Sequence, residues 1–136
     1  MNDAIVTQNG VADAPAVLVV EDEVIIRMML VDELEDAGIA VIEADGADAA
    51  VAIMSNGATI RAVVTDVRMP GTMDGLGLAA WMRDGAPGVP IIITAGFATE
   101  PQCQSINPAI THVVRKPYRP GEVTRLVTEL LTDPAA

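Results

Sequence analysis

Val17-Leu18-Val19-Val20-Glu21-Asp22-Glu23 is the stretch on which the reading of this chain turns. A continuous apolar run, mostly β-branched, stops abruptly at three acids. A short run without alternation is the pattern of a strand covered on both faces. Strands covered on both faces belong to parallel sheets flanked by helices. The three acids would then sit at the carboxyl edge of such a sheet.

Upstream, residues 1–14 carry little periodicity and end in Ala14-Pro15, which reads as a flexible N-terminal tail. Downstream the pattern alternates between helix and strand. Residues 23–37 hold Ile25, Met28, Met29 and Leu34 among charged residues, and Gly38 supplies a helix stop. Residues 39–43 form a second strand, and Asp45 can cap a helix over 47–56 that ends near Gly57. The third strand, Arg61-Ala62-Val63-Val64-Thr65, runs into Asp66. A loop with Pro70, Gly71 and Gly75 leads to a helix over about 76–84, then to a strand from Val89 to Ile93 that ends at Thr94. Residues 98–106 give only a weak helix signal; a fifth strand over about 110–115 runs into Lys116-Pro117. The last helix, about 120–132, places Val123, Leu126, Val127, Leu130 and Leu131 on one face. Five strand–helix repeats with short connections predict an α/β domain, a doubly wound five-stranded parallel sheet with helices on both faces.

Composition agrees. A chain of 136 residues, 51% apolar, is long enough for one packed domain. With aromatics at 2%, the core must be built from Val, Ile, Leu, Met and Ala. A net charge of −11 argues against nucleic acid, whose phosphates require Lys and Arg, and against an anionic membrane surface. The single cysteine, Cys103, permits no internal disulfide. There is no basic segment followed by an apolar run at the N-terminus, and no apolar stretch near the roughly 18 residues that span a bilayer. The expected location is cytoplasmic.

Ligands of doubly wound sheets bind beyond the carboxyl ends of the strands. This chain places Glu21 and Asp22 after the first strand, Asp66 after the third, Thr94 after the fourth and Lys116 after the fifth. Each has an ordinary local reading: Asp22 or Thr94 as a helix cap, Asp66 as turn chemistry, Lys116 as a surface charge. Together they form a set. Three carboxylates repel one another unless a cation joins them, and oxygen-only ligands with room for water suit Mg²⁺. A carboxylate beside Mg²⁺ and a lysine can act as a nucleophile toward phosphorus, with the Thr94 hydroxyl donating to a phosphoryl oxygen.

In these residues the chain resembles the response-regulator receiver domains of the CheY-like class. The matching segments are Val17 to Glu23, Thr65-Asp66-Val67-Arg68-Met69-Pro70, Asp74-Gly75, Ile92-Ile93-Thr94-Ala95-Gly96 and Lys116-Pro117-Tyr118, and the resemblance covers roughly 16–132. It implies a flavodoxin-like strand order of 2-1-3-4-5, with the receiver unit over 15–133 and a short tail at 134–136. It implies Asp66 as phosphoacceptor and Thr94 and Lys116 as phosphoryl contacts. For Mg²⁺ it implies Asp22 and Asp66, Glu21 through water, and the backbone carbonyl of Arg68; it also implies a cis bond at Lys116–Pro117. The function it implies is a stand-alone response regulator of a two-component or phosphorelay system. Such a domain takes its phosphoryl group from a histidine kinase or histidine phosphotransfer protein. It is not an enzyme in the usual sense, although it assists its own phosphorylation and dephosphorylation.

Two departures from the family pattern stand out. The loop from Pro70 to Gly75 is one residue longer than the commonest form. Val113 stands where many receivers carry a switching aromatic, with His112 and Tyr118 as nearby substitutes. Arg68 and Gly96 flank the expected path of attacking water. Output is expected in trans on a protein partner through segment 95–107 and the last helix. Two rivals share the residue types. A phosphohydrolase of the haloacid-dehalogenase type would need an acid two residues past its nucleophile, where this chain has Arg68. A receiver used only for protein binding would have no need of the five polar residues.

Overall fold

The computed structural model describes residues 15–69, 71, 73–96 and 105–132. The chain runs β1 (Ala16–Val20), α1 (Val24–Asp36), β2 (Val41–Ala44), α2 (Ala47–Ser55), β3 (Ile60–Asp66), α3 (Gly75–Gly85), β4 (Ile91–Ala95), β5 (Ile110–Arg115) and α4 (Glu122–Thr132). All strand pairings are parallel, in the order β2-β1-β3-β4-β5. The expected doubly wound sheet is therefore present, with the expected order.

Side chains alternate across each strand, so the sheet feeds two separate cores. Leu18, Val20, Val63, Ile91 and Ile93 pack with Ala47 and Ala50 of α2 and with Leu78, Ala79 and Met82 of α3. Val17, Val19, Ala62, Val64 and Ile92 face the other way, against Leu30, Val31 and Leu34 of α1 and Val123, Leu126 and Val127 of α4. Every residue of β1 and β4 is buried, as the unbroken apolar runs require. Each fully buried Leu or Ile in these layers contributes about 1.5–3 kcal/mol.

Local sequence explains where the helices stop and start. Past α1, Gly38 takes φ +83°, and the Gly38 and Ile39 amides donate to the Glu35 and Leu34 carbonyls, closing the helix with a left-handed glycine. At the start of α3, the Asp74 carboxylate accepts from the Gly77 amide at 2.8 Å.

One expectation needs correction, and one face of α1 is a finding of the structure. Gly46, not Asp45, is the N-cap of α2, and no side chain caps that helix. On α1 the buried stripe is Leu30, Val31 and Leu34 with Ile26 partly covered, whereas Ile25, Met28 and Met29 are more than half exposed. Helix α1 carries two apolar faces, and the sheet takes only one of them. The weak helix over 98–106 lies largely outside the described residues, of which Ser105 and Ile106 are helical. Among the described residues no helix is long and apolar enough to cross a membrane.

Candidate functional site

The carboxyl ends of β1, β3, β4 and β5 meet at one edge of the sheet, and the five residues singled out above meet with them. Asp66 is the last residue of β3 and pairs in register with Thr94 of β4. Thr94 is almost fully buried, and its carbonyl accepts from the Val67 amide at 3.0 Å, tying the loop after β3 to β4. Lys116 follows β5 directly, its amide bonded to the Ala95 carbonyl at 2.8 Å, and the Lys116–Pro117 peptide is cis as the resemblance implies.

The lysine reaches back across the sheet edge to the acids. Its Nζ donates to Oδ2 of Asp66 at 2.8 Å and lies 3.5 Å from Oε1 of Glu21. Glu21 is buried beneath the site, its other carboxylate oxygen accepting from the Glu23 amide at 3.1 Å. The second oxygen of Asp66 accepts from the Arg68 amide at 3.3 Å, which holds the main chain of Arg68 beside the carboxylate. Glu21, Asp22 and Asp66 each offer a carboxylate oxygen within 4.8 Å of the others. Mg²⁺ bonds oxygen at about 2.1 Å and keeps several waters, so an all-oxygen set of this spread fits it by direct and water-bridged contacts together.

Electrostatics point the same way. Burial pushes the Glu21 carboxyl above the usual carboxylate range, and the neighbouring charges of Asp66 and Asp22 add to this; the Glu23 amide and Lys116 oppose it. For Lys116, burial works to lower the pKa, but the hydrogen bond to Asp66 and the charge of Glu21 outweigh it, leaving the ammonium above its ordinary value. Lys116 is therefore a fixed positive charge at neutral pH. A cluster of three carboxylates with one lysine still carries excess negative charge, which a divalent cation would neutralise.

Gly75 is what lets α3 approach. Its amide donates to the Val67 carbonyl at 2.8 Å, and a β-carbon there would collide with the backbone carbonyl of Asp66. The loop thus ends in a backbone-to-backbone contact beneath Asp66. Arg68 and Gly96 line one open cavity of about 520 Å³ beside it. Val113 faces the α2/α3 core, while Tyr118 packs on the opposite layer with α1 and α4. Tyr118 therefore does not occupy the place of the absent aromatic. His112 lies on β5 with its Nδ1 3.0 Å from the Thr111 hydroxyl.

One residue at the site carried no notice in the sequence. Arg27, one turn into α1, donates from Nη1 to the Glu21 carbonyl at 2.7 Å and from Nε to Glu43 of β2 at 3.1 Å. Its only advance signal is a basic residue a helical turn past a pair of acids.

Five parallel strands in this order, with acids and a lysine gathered at their carboxyl ends, define a CheY-like domain of flavodoxin-like fold. The response regulator receiver domain model matches residues 17–128, and the chain belongs to that family. It is 32% identical over 115 residues to the transcriptional regulatory protein ResD of Bacillus subtilis, covering 85% of this chain and 47% of ResD. Among solved structures it is similar to the receiver domain of NtrX from Brucella abortus, with 30% identity, TM-score 0.73, and coverage of 86% of this chain and 99% of that one. It is also similar to the response regulator TrrA from Thermotoga maritima in complex with Mg²⁺-BeF, with 25% identity, TM-score 0.74, and coverage of 85% and 98%. The chain spans between about a quarter and a half of the length of the curated relatives it matches. Receiver domains are phosphoacceptor switches of two-component signalling rather than enzymes in the usual sense, and they interact with histidine kinases or phosphotransfer proteins.

Proposed function

We propose that this receiver domain accepts a phosphoryl group on Asp66 in a Mg²⁺-dependent reaction. The observation that carries the reading is the 2.8 Å contact from Lys116 to Asp66 within a cluster whose three carboxylates lie inside 4.8 Å. The donor is a phosphohistidine of a kinase or phosphotransfer protein. A carboxylate oxygen of Asp66 forms the new bond to phosphorus as the phosphorus–nitrogen bond breaks, and the electron pair stays on the imidazole. Lys116 then sits against the phosphoryl oxygens, and the Thr94 hydroxyl donates to another. Glu21, Asp22, Asp66 and the Arg68 carbonyl would hold Mg²⁺, which supplies charge neutralisation when bound. TrrA, similar to this chain in fold and sequence, forms a complex with Mg²⁺-BeF, which supports the same assignment here.

The receiver unit is 15–133, working in the cytoplasm on protein partners and not on nucleic acid. Val24, Ile25, Met28 and Met29 form an exposed apolar stripe on α1, directly after the acidic pair. That stripe is the donor's docking surface in this reading, since a protein that delivers phosphorus to Asp66 must cover the rim of the cleft. Output passes through segment 95–107 and α4 to a partner in trans; residues 97–104 lie outside the described residues.

Incubation with Mg²⁺ and acetyl phosphate, followed by intact-mass measurement, tests the reading. A single phosphoryl adduct that Asp66→Asn does not form is the expected result. Absence of any adduct from the unaltered chain overturns it and leaves a binding-only module.

A further inference from the structure

Arg27 joins three elements at the acidic edge of the sheet. Its side chain is 17% exposed, and it spans from Glu43 on β2 to the main chain after β1. The acceptor there is the Glu21 carbonyl, reached at 2.7 Å by Nη1. That carbonyl belongs to the peptide unit joining Glu21 to Asp22, so fixing its direction fixes the plane from which Asp22 projects. The other side of Glu21 is fixed as well, because its amide donates to the Ala44 carbonyl at 3.1 Å. Glu43 holds the guanidinium in place with a charge-assisted bond to Nε at 3.1 Å.

We propose that Arg27 is a positioning residue for the cation site: through the Glu21 carbonyl it orients Asp22 for the metal, with Glu43 as its anchor. The inference rests on the functional reading above, in which Asp22 is a metal ligand. It carries an unusual sign. A guanidinium near three carboxylates opposes entry of a divalent cation by simple repulsion. If Arg27 were only a nearby charge, removing it would tighten cation binding, and freeing Glu43 would tighten it further. If it orients a ligand, removing it weakens binding in spite of the improved field. Partners that orient metal ligands typically contribute about tenfold or more to affinity.

The experiment is calorimetric titration of Mg²⁺ into the whole chain, repeated with Mn²⁺ and read by electron paramagnetic resonance. The proteins are the unaltered chain, Asp22→Asn, Arg27→Met and Arg27→Lys, each also melted in chelator. Arg27→Lys retains the charge but loses the fork that reaches two acceptors at once. Both Arg27 variants are expected to bind either cation about tenfold more weakly, with cooperative melts in chelator. If Arg27→Met does not fold, the Arg27→Lys titration decides alone. Cation binding by a folded Arg27 variant that equals or exceeds the unaltered chain overturns the inference while leaving the functional reading intact. No Mg²⁺ binding by the unaltered chain overturns both.

Discussion

Gly75 presses its α-carbon against the peptide that carries Asp66, so closely that a β-carbon built there would stand 2.8 Å from the Asp66 carbonyl carbon and 2.9 Å from the Val67 α-carbon. Both neighbours are main chain, and neither can rotate aside. Gly75→Ala is therefore expected to cost about 3 kcal/mol, or to keep the fold by displacing Asp66. Denaturant unfolding together with the acetyl phosphate assay separates these outcomes, and a variant with unchanged stability and rate refutes the contact.

Lys116→Met should leave Asp66 with no cation on its outer oxygen. Phosphoryl transfer then loses a preorganised positive charge, and the rate of adduct formation should fall about a hundredfold or more. Mg²⁺ binding should hold or tighten, since a competing cation is gone. Parallel measurements of rate and binding check the two opposite signs.

Tyr118 gives a signature in alkali. Burial pushes its phenol up to about 12, with the charges of Glu21, Glu33 and Asp66 adding to this and Lys116 opposing it. An unfolded tyrosine ionises near 10, so between about 10 and 12 the folded chain holds a proton that the unfolded chain has lost. Stability must then fall as pH rises through that window. Lys116, also raised, contributes with the same sign. Tyr118→Phe should show a shallower decline of melting temperature above pH 10 than the unaltered chain, and matching slopes would refute the assignment.

The exposed stripe on α1 separates two kinds of donor. Ile25→Glu and Met28→Glu place charge on side chains that are 68% and 53% exposed, so folding should be unaffected. Labelling by acetyl phosphate should continue at its normal rate, while transfer from a phosphorylated histidine protein should slow about tenfold or more. Equal slowing with both donors would move the docking surface elsewhere.

Asn107 ties the entrance of β5 to α3. Its side chain donates to the Ala79 carbonyl and accepts from the Ala109 amide, each at 2.9 Å, and the residue is buried. Asn107→Ala leaves the Ala109 amide without its acceptor and removes the added donor to the α3 carbonyl, and should cost about 2 kcal/mol. Faster hydrogen exchange at the Ala109 and Ile110 amides would locate the loss.

The fold was legible because each central strand is built on a run of three or more apolar residues and glycine marks the end of α1. The site was legible because the ends of four strands carry the residue types that one chemistry needs. What escaped notice depends on choices no local pattern encodes. Helix α1 offers two apolar stripes, and only the angle at which it lies on β1 and β2 selects Leu30 and Leu34 over Ile25 and Met29. Asp45 and Gly46 are equally plausible helix starts, and the extended backbone at Gly46 settled the matter. Arg27 escaped because one acceptor is a main-chain carbonyl and the other, Glu43, lies 16 residues away on a different strand.

The division of the interior into two layers has a consequence for how the molecule can evolve. Tyr118 and the inner face of α1 lie on one side of the sheet, while Val113, Gly75 and α3 lie on the other. Asp66 stands at the seam. Substitutions that repack one layer leave the contacts of the other untouched, so the two faces of the sheet are free to drift apart while the strand ends between them stay fixed.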